Sequence, residues 1–155
     1  MLRTPLPQAL PEPFTVAEAR ALGVSQGRTH ARDLVAPFHG VRLPAGLVDD
    51  RLAQLRALQR VTPTAAFSHH TAGVLWHLPL PLHMERDRVV HQVVSSDRHR
   101  IEHRGVVGHV ADRRIAHLPN GLSVTDLGDT WCDLAPALTL TQLVQAGDPI
   151  LNRDG

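Results

Sequence analysis

Between Phe14 and Leu43 the apolar positions recur at helical spacing and then alternate, which predicts helix, tight turn, second helix and a short hairpin. Thr15 and Glu18 form a capping box at the first helix start, and Val16, Ala19 and Leu22 give it one buried stripe. Gly23 is the expected left-handed stop, and Ser25 can cap the second helix. At about 100° per residue, Val24, Ala31, Leu34 and Val35 fall on one side of that helix. Gln26, Thr29, Arg32 and Asp33 fall on the other, with Arg28 and His30 at the edges. Gly27 inside it costs roughly 1 kcal/mol against alanine. Pro37 to Gly40 then turns, and Val41 to Leu43 returns as an edge strand.

Before this stretch, Pro5, Pro7, Pro11 and Pro13 predict a flexible or extended leader over residues 1–13. After it, Asp49 or Asp50 caps a helix with Val48, Leu52, Leu55 and Leu58 inward, stopped at Thr62-Pro63. A strand at Ala65 to Phe67 leads to Ser68, the expected cap of a helix carrying Ala72, Leu75 and Trp76. Val89 to Val94 and Val106 to Val110 are predicted partner strands, joined by the basic loop Asp97 to Arg104. Beyond a turn at Pro119 to Gly121 comes a strand at Leu122 to Val124. Thr125 then caps a helix with Leu127, Trp131 and Leu134 inward, and Thr139 caps a last one with Leu140, Leu143 and Val144. The expected fold class is α+β, with a winged helix-turn-helix head over residues 14–46. A mixed α/β body over 47–150 and a tail over 151–155 complete it.

Composition changes this picture little. Hydrophobic residues make up 43% of the 155, enough for a core, but at 3% aromatic the packing falls to Leu, Val and Ala. No apolar run spans a bilayer and no secretory signal is present, so a cytoplasmic protein without membrane contact is expected. The net charge is only +1, with 13 arginines against 9 acids in residues 1–110 and 3 against 6 beyond. So modest a charge gives one copy weak phosphate attraction; useful DNA affinity calls for a homodimer or a second contact region. All 16 basic residues are Arg, which suits planar recognition of phosphate and guanine but also follows from a coding bias.

The chemistry of the second helix is the main functional clue. Amide and guanidinium groups there offer paired hydrogen bonds to purine edges, while flanking basic groups meet phosphates. The nucleic-acid-binding set is therefore Gln26, Arg28, Thr29, His30 and Arg32, with Arg42 on the wing. A solvated polar face on an ordinary helical pair is the alternative. Arg98, Arg100 and Arg104 in the basic loop offer a second contact region, or a solvated loop. Eleven histidines raise the question of a metal, but none has a HExxH or Cys/His finger spacing. They are expected as caps, surface groups and core hydrogen-bonders, with no metal and no cofactor. Ser68 lacks a nucleophile signature, and Cys132 is expected as a core thiol, so no catalytic residue is predicted.

Several stretches together resemble a known family. They are PFTVAEARALGVS (Pro13 to Ser25), DLVAPFHGVRLPAG (Asp33 to Gly46), FSHHTAGVLWHLPLP (Phe67 to Pro81), RGVVGHV (Arg104 to Val110) and GLSVTDLGDTWCDLA (Gly121 to Ala135). In order and spacing the chain resembles actinobacterial proteins with an AbiEi-type antitoxin winged-helix head, regulators in type IV toxin–antitoxin systems. The resemblance implies double-stranded DNA and a toxin protein as partners, with Ser25 to Val35 as recognition helix and Phe38 to Leu43 as wing. Relatives tend to carry a denser run of Arg where Gln26, Gly27, Thr29 and His30 stand here. Many continue into a domain similar to very-short-patch-repair endonucleases, which would begin near Asn152. This chain is thus expected to be a non-catalytic DNA-binding regulator. The alternatives are the non-catalytic portion of a nuclease-like protein, or a protein-interaction module without DNA binding.

Overall fold

The computed structural model of the chain describes residues 4–152, and the expected tail beyond Asn152 and the first three leader residues lie outside them. The protein is mixed α+β and divides into two compact units, Met1–Pro63 and Thr64–Gly155.

The N-terminal unit runs β1 (Phe14–Thr15), α1 (Val16–Ala21), α2 (Gln26–Thr29), β2 (Leu34–Val35), β3 (Val41–Pro44) and α3 (Arg51–Val61). Local chemistry sets the first elements as expected. Thr15 caps α1 with Glu18 completing the reciprocal box, and Gly23 takes a left-handed φ of 75° that a side chain would strain. Ser25 accepts from the Arg28 amide to cap α2. The buried stripe of α1 is narrower than its spacing suggests, since Ala19 is buried but Leu22 is 46% exposed.

Several expectations fail here. The second helix does not extend to Val35: α2 is a single turn, and Leu34–Val35 forms a strand paired with β3. The Val41 to Leu43 segment is not an edge strand, because β3 lies between β1 and β2 and is buried. Nor is the leader free. Leu10 is buried in a cluster with Phe14 and Ala19, Leu6 packs on it, and the Thr4 carbonyl accepts from Arg28. The helix expected to open the body, α3, instead packs on β1 and β3 and belongs to this unit. Asp50 caps it and Ala53, Leu55, Ala57 and Leu58 are its buried side, whereas Val48 is 42% exposed.

The C-terminal unit is built on a five-stranded mixed sheet in the order β6-β5-β4-β8-β7. Its strands are β4 (Ala66–Phe67), β5 (Val90–Val94), β6 (Val106–Val110), β7 (Ile115–His117) and β8 (Ser123–Thr125). The helices are α4 (His69–Leu75), α5 (Leu82–Glu85), α6 (Leu127–Leu134) and α7 (Leu140–Leu151). α4 packs on β5, β8 and α6. Leu78, Leu80, Met84 and Leu134 form one buried cluster, with Trp76 and Leu127 against it. Both indole N–H groups are satisfied, Trp76 Nε1 donating to Thr125 O and Trp131 Nε1 to Leu143 O, each at 2.9 Å.

β5 and β6 pair as expected, but in parallel, with Val90 opposite Val106 and Val94 opposite Val110. The basic loop must therefore cross back over the pair, and it does so at Gly108, where a Cβ would meet the Ile101 carbonyl and the Arg100 side chain. Asp126, not Thr125, caps α6, because Thr125 ends β8 with its hydroxyl 2.7 Å from that of Thr130. On α7 the capping box of Thr139 and Gln142 is present, yet Leu140 and Val144 are 79% and 53% exposed and Ala146 is the buried position. Cys132 is exposed rather than in the core. Among the described residues no helix is long and apolar enough to cross a membrane.

Candidate nucleic-acid interface and histidine centre

In the N-terminal unit the six residues singled out for DNA separate into an inner and an outer set. Arg28 is inner: its guanidinium pairs with both Asp33 carboxylate oxygens at 3.1 and 2.9 Å and donates from Nε to Thr4 O at 2.7 Å. Thr29 is fully buried, with its hydroxyl donating to Gln26 O at 2.8 Å. Arg42, 9% exposed, donates to Thr29 O at 2.6 Å and Val41 O at 2.8 Å, and its Nη2 lies 3.2 Å from His30 Nε2. These three hold the unit together, their polar groups spent on backbone carbonyls, the Asp33 carboxylate and the His30 ring.

Outer residues are Gln26, His30 and Arg32, all three exposed. His30 is nonetheless fixed. Arg42 can only donate, so His30 Nε2 accepts and Nδ1 carries the hydrogen that reaches Gln26 O at 2.8 Å. This also explains the short helix. The Gln26 carbonyl is shared by two side chains and the Thr29 carbonyl is taken by Arg42, so neither is left to extend the helical ladder.

In the C-terminal unit the fold gathers histidines that spacing along the chain keeps apart. His69 opens α4, His91 lies on β5 and His109 on β6. In the parallel register His91 is opposite Val107 and His109 opposite Val93, so the two imidazoles share one face of the sheet as diagonal neighbours. Their nitrogens His91 Nδ1 and His109 Nε2 are 2.9 Å apart. The Ser68 amide donates to His91 O at 3.0 Å, which extends the β4–β5 ladder and delivers His69 to the same place. His69 stacks on His109 with ring centres 3.8 Å apart and planes 18° apart. It holds a positive φ of 52°, a conformation rare outside glycine that concentrates at functional sites. At the N-terminus of α4 the Ser68 hydroxyl is not used as a cap, lying 3.0 Å from His69 Nδ1 instead.

Carboxylates and arginines surround the three rings. Asp133, on α6, has a side chain 5% exposed and accepts from Arg113 Nε and Nη2 at 3.1 and 2.7 Å through Oδ1. Its Oδ2 is 4.0 Å from His69 Nδ1 and has no hydrogen-bond partner among the described residues. On the other side His70 lies 3.3 Å from Asp87 and packs edge-on to His91. His69, His109, Arg100, Arg113 and Asp133 line a cleft of about 240 Å³. Burial pushes the His69 pKa down to about 4, helped by His109 and opposed by Asp133. Burial, then the charges of His70 and His69, lower His91 to about 4. Burial also lowers His109, against Asp133 and with Arg100 and Arg113. At neutral pH the rings therefore keep their lone pairs.

The expectation of histidines as caps, surface groups and core hydrogen-bonders does not anticipate this cluster. No sequence spacing announces it, since its members come from a helix start and two strands. The paired His69-His70 before a helix and a histidine in each of two predicted partner strands were the available signals. His77 lies past the end of α4 with φ 58°. Neither protein-family models nor curated proteins match the chain.

Proposed function

We propose that the N-terminal unit binds double-stranded DNA and that the chain is a non-catalytic DNA-binding regulator of the antitoxin type, with a winged helix-turn-helix head. The observation that carries this reading is the outward set at the second helix: Gln26, His30 and Arg32 reach solvent together just beyond a tight turn at Gly23. A Gln amide can bond an adenine edge and an Arg a guanine edge or a phosphate. The contact set is therefore Gln26, His30 and Arg32, while Arg28, Thr29 and Arg42 shape the surface that carries them. With a net charge of +1, a homodimer is the form expected to bind at physiological salt. A toxin protein remains the proposed second partner.

Fluorescence anisotropy with DNA from the chain's own promoter region, at low salt, tests this. Binding that weakens by about 1–3 kcal/mol in Arg32→Ala, at one base-pair position, is the expected result. Arg28→Ala should lower the melting temperature and leave base preference as in the parent chain. No association at low salt overturns the reading. One observation favours a second reading, a protein-interaction module: a single-turn helix offers a groove few side chains, and nearby Leu22 is 46% exposed. Absence of DNA binding would favour that module.

A further inference from the structure

We propose that the C-terminal unit holds one divalent transition-metal ion of the zinc class, bound by His69, His91 and His109. One ring nitrogen from each lies within 4.8 Å of the other two. Two imidazoles on one tetrahedral zinc, at Zn–N distances of about 2.0–2.1 Å, have nitrogens roughly 3.3 Å apart. His91 Nδ1 and His109 Nε2, at 2.9 Å, need to separate by only a few tenths of an ångström. Both project from one face of paired strands, so their spacing is set by the sheet and not by a loop.

Buried Asp133 is an independent pointer to the same ion. A carboxylate oxygen in a dry site without a donor is costly, and Oδ2 here faces His69 at 4.0 Å. Metal-bound histidines regularly turn their remaining N–H to a carboxylate, which fixes the ring and strengthens the ligand. Asp133 stands to His69 in that position, its Oδ2 4.0 Å from Nδ1. Asp133 is accordingly a positioning residue rather than a ligand. Three imidazoles suit zinc, copper, iron or nickel better than magnesium or calcium, which prefer oxygen. A three-histidine set leaves one coordination position open. The cleft beside it is lined by Arg100 and Arg113, so the chemistry of the fourth ligand is that of water or an oxyanion.

Titrating the metal-free full chain with Zn²⁺ against a chromophoric chelator should show one equivalent bound. His91→Gln and His109→Gln should each weaken that binding at least about tenfold, and Asp133→Asn by about 10–100-fold. His83→Gln and His99→Gln, at exposed positions, should leave it unchanged. Co²⁺ should give the intense visible absorption of a four-coordinate ion. Should the ligand variants fail to fold, diethyl pyrocarbonate labelling of the parent chain decides the matter: Zn²⁺ must protect His69, His91 and His109 while His83 and His99 stay as reactive as before. Binding unaffected by His91→Gln and His109→Gln, a weak six-coordinate Co²⁺ spectrum, or equal labelling with and without Zn²⁺ would each overturn the assignment.

Discussion

The imidazoles of His69, His91 and His109 are buried enough to resist protonation, and this has a consequence for stability. Their folded pKa values lie below the ordinary 6.5, at about 4 for His69 and His91, chiefly through burial. Between those values the unfolded chain binds more protons than the folded one, so the folded state loses ground as pH falls. Stability should be full above about pH 6.5, decline through the window down to about pH 4, and lose nothing further from His69 and His91 below it. Urea midpoints of chelator-treated protein across that window check the sign; a midpoint rising on acidification contradicts it. His91→Gln should flatten the decline. None of this was legible from the sequence, because a histidine's surroundings depend on strand register. His91 and His109 are neighbours only because β5 and β6 run parallel, and the loop between them gave no hint of that direction.

Among elements, what was legible was whatever is settled within four residues. The boxes of Thr15 with Glu18 and Thr139 with Gln142, the stop at Gly23 and the Asp50 cap all formed as their side chains dictate. Elements decided at longer range were misjudged. Helical periodicity persists to Val35, yet Arg42, thirteen residues beyond Thr29, takes the Thr29 carbonyl and β3 recruits Leu34–Val35. Two glycines separate local from distant control. A methyl group added at Gly27 in α2 would meet nothing within 4 Å, so Gly27→Ala should stabilise the chain by roughly 0.5–1 kcal/mol. Gly108 lies beneath the crossing loop, so Gly108→Ala should cost about 1–3 kcal/mol by forcing Ile101 away. Denaturant unfolding of both variants checks the pair, and equal effects would refute the crossing as the cause.

For the whole molecule, the α+β class was legible from the alternation of periods, and the division into two units only roughly. The expected boundary left α3 with the body; burial of Leu55 and Leu58 beside β1 and β3 places it in the N-terminal unit. Both tryptophans, Trp76 and Trp131, belong to the C-terminal unit. Indole fluorescence therefore follows that unit alone, and Leu134→Ala, which empties part of its core, should lower the fluorescence-detected stability by about 2–5 kcal/mol. A change under about 0.5 kcal/mol would place Leu134 outside the core. The chain's use of arginine without lysine is consistent with a habit of its coding. At Arg42 it is a requirement: one guanidinium serves Thr29 O, Val41 O and His30 Nε2 from separate nitrogens. An ammonium has a single nitrogen and cannot span three acceptors set so far apart, so a mutation to lysine there would untie helix end, strand and imidazole in one step.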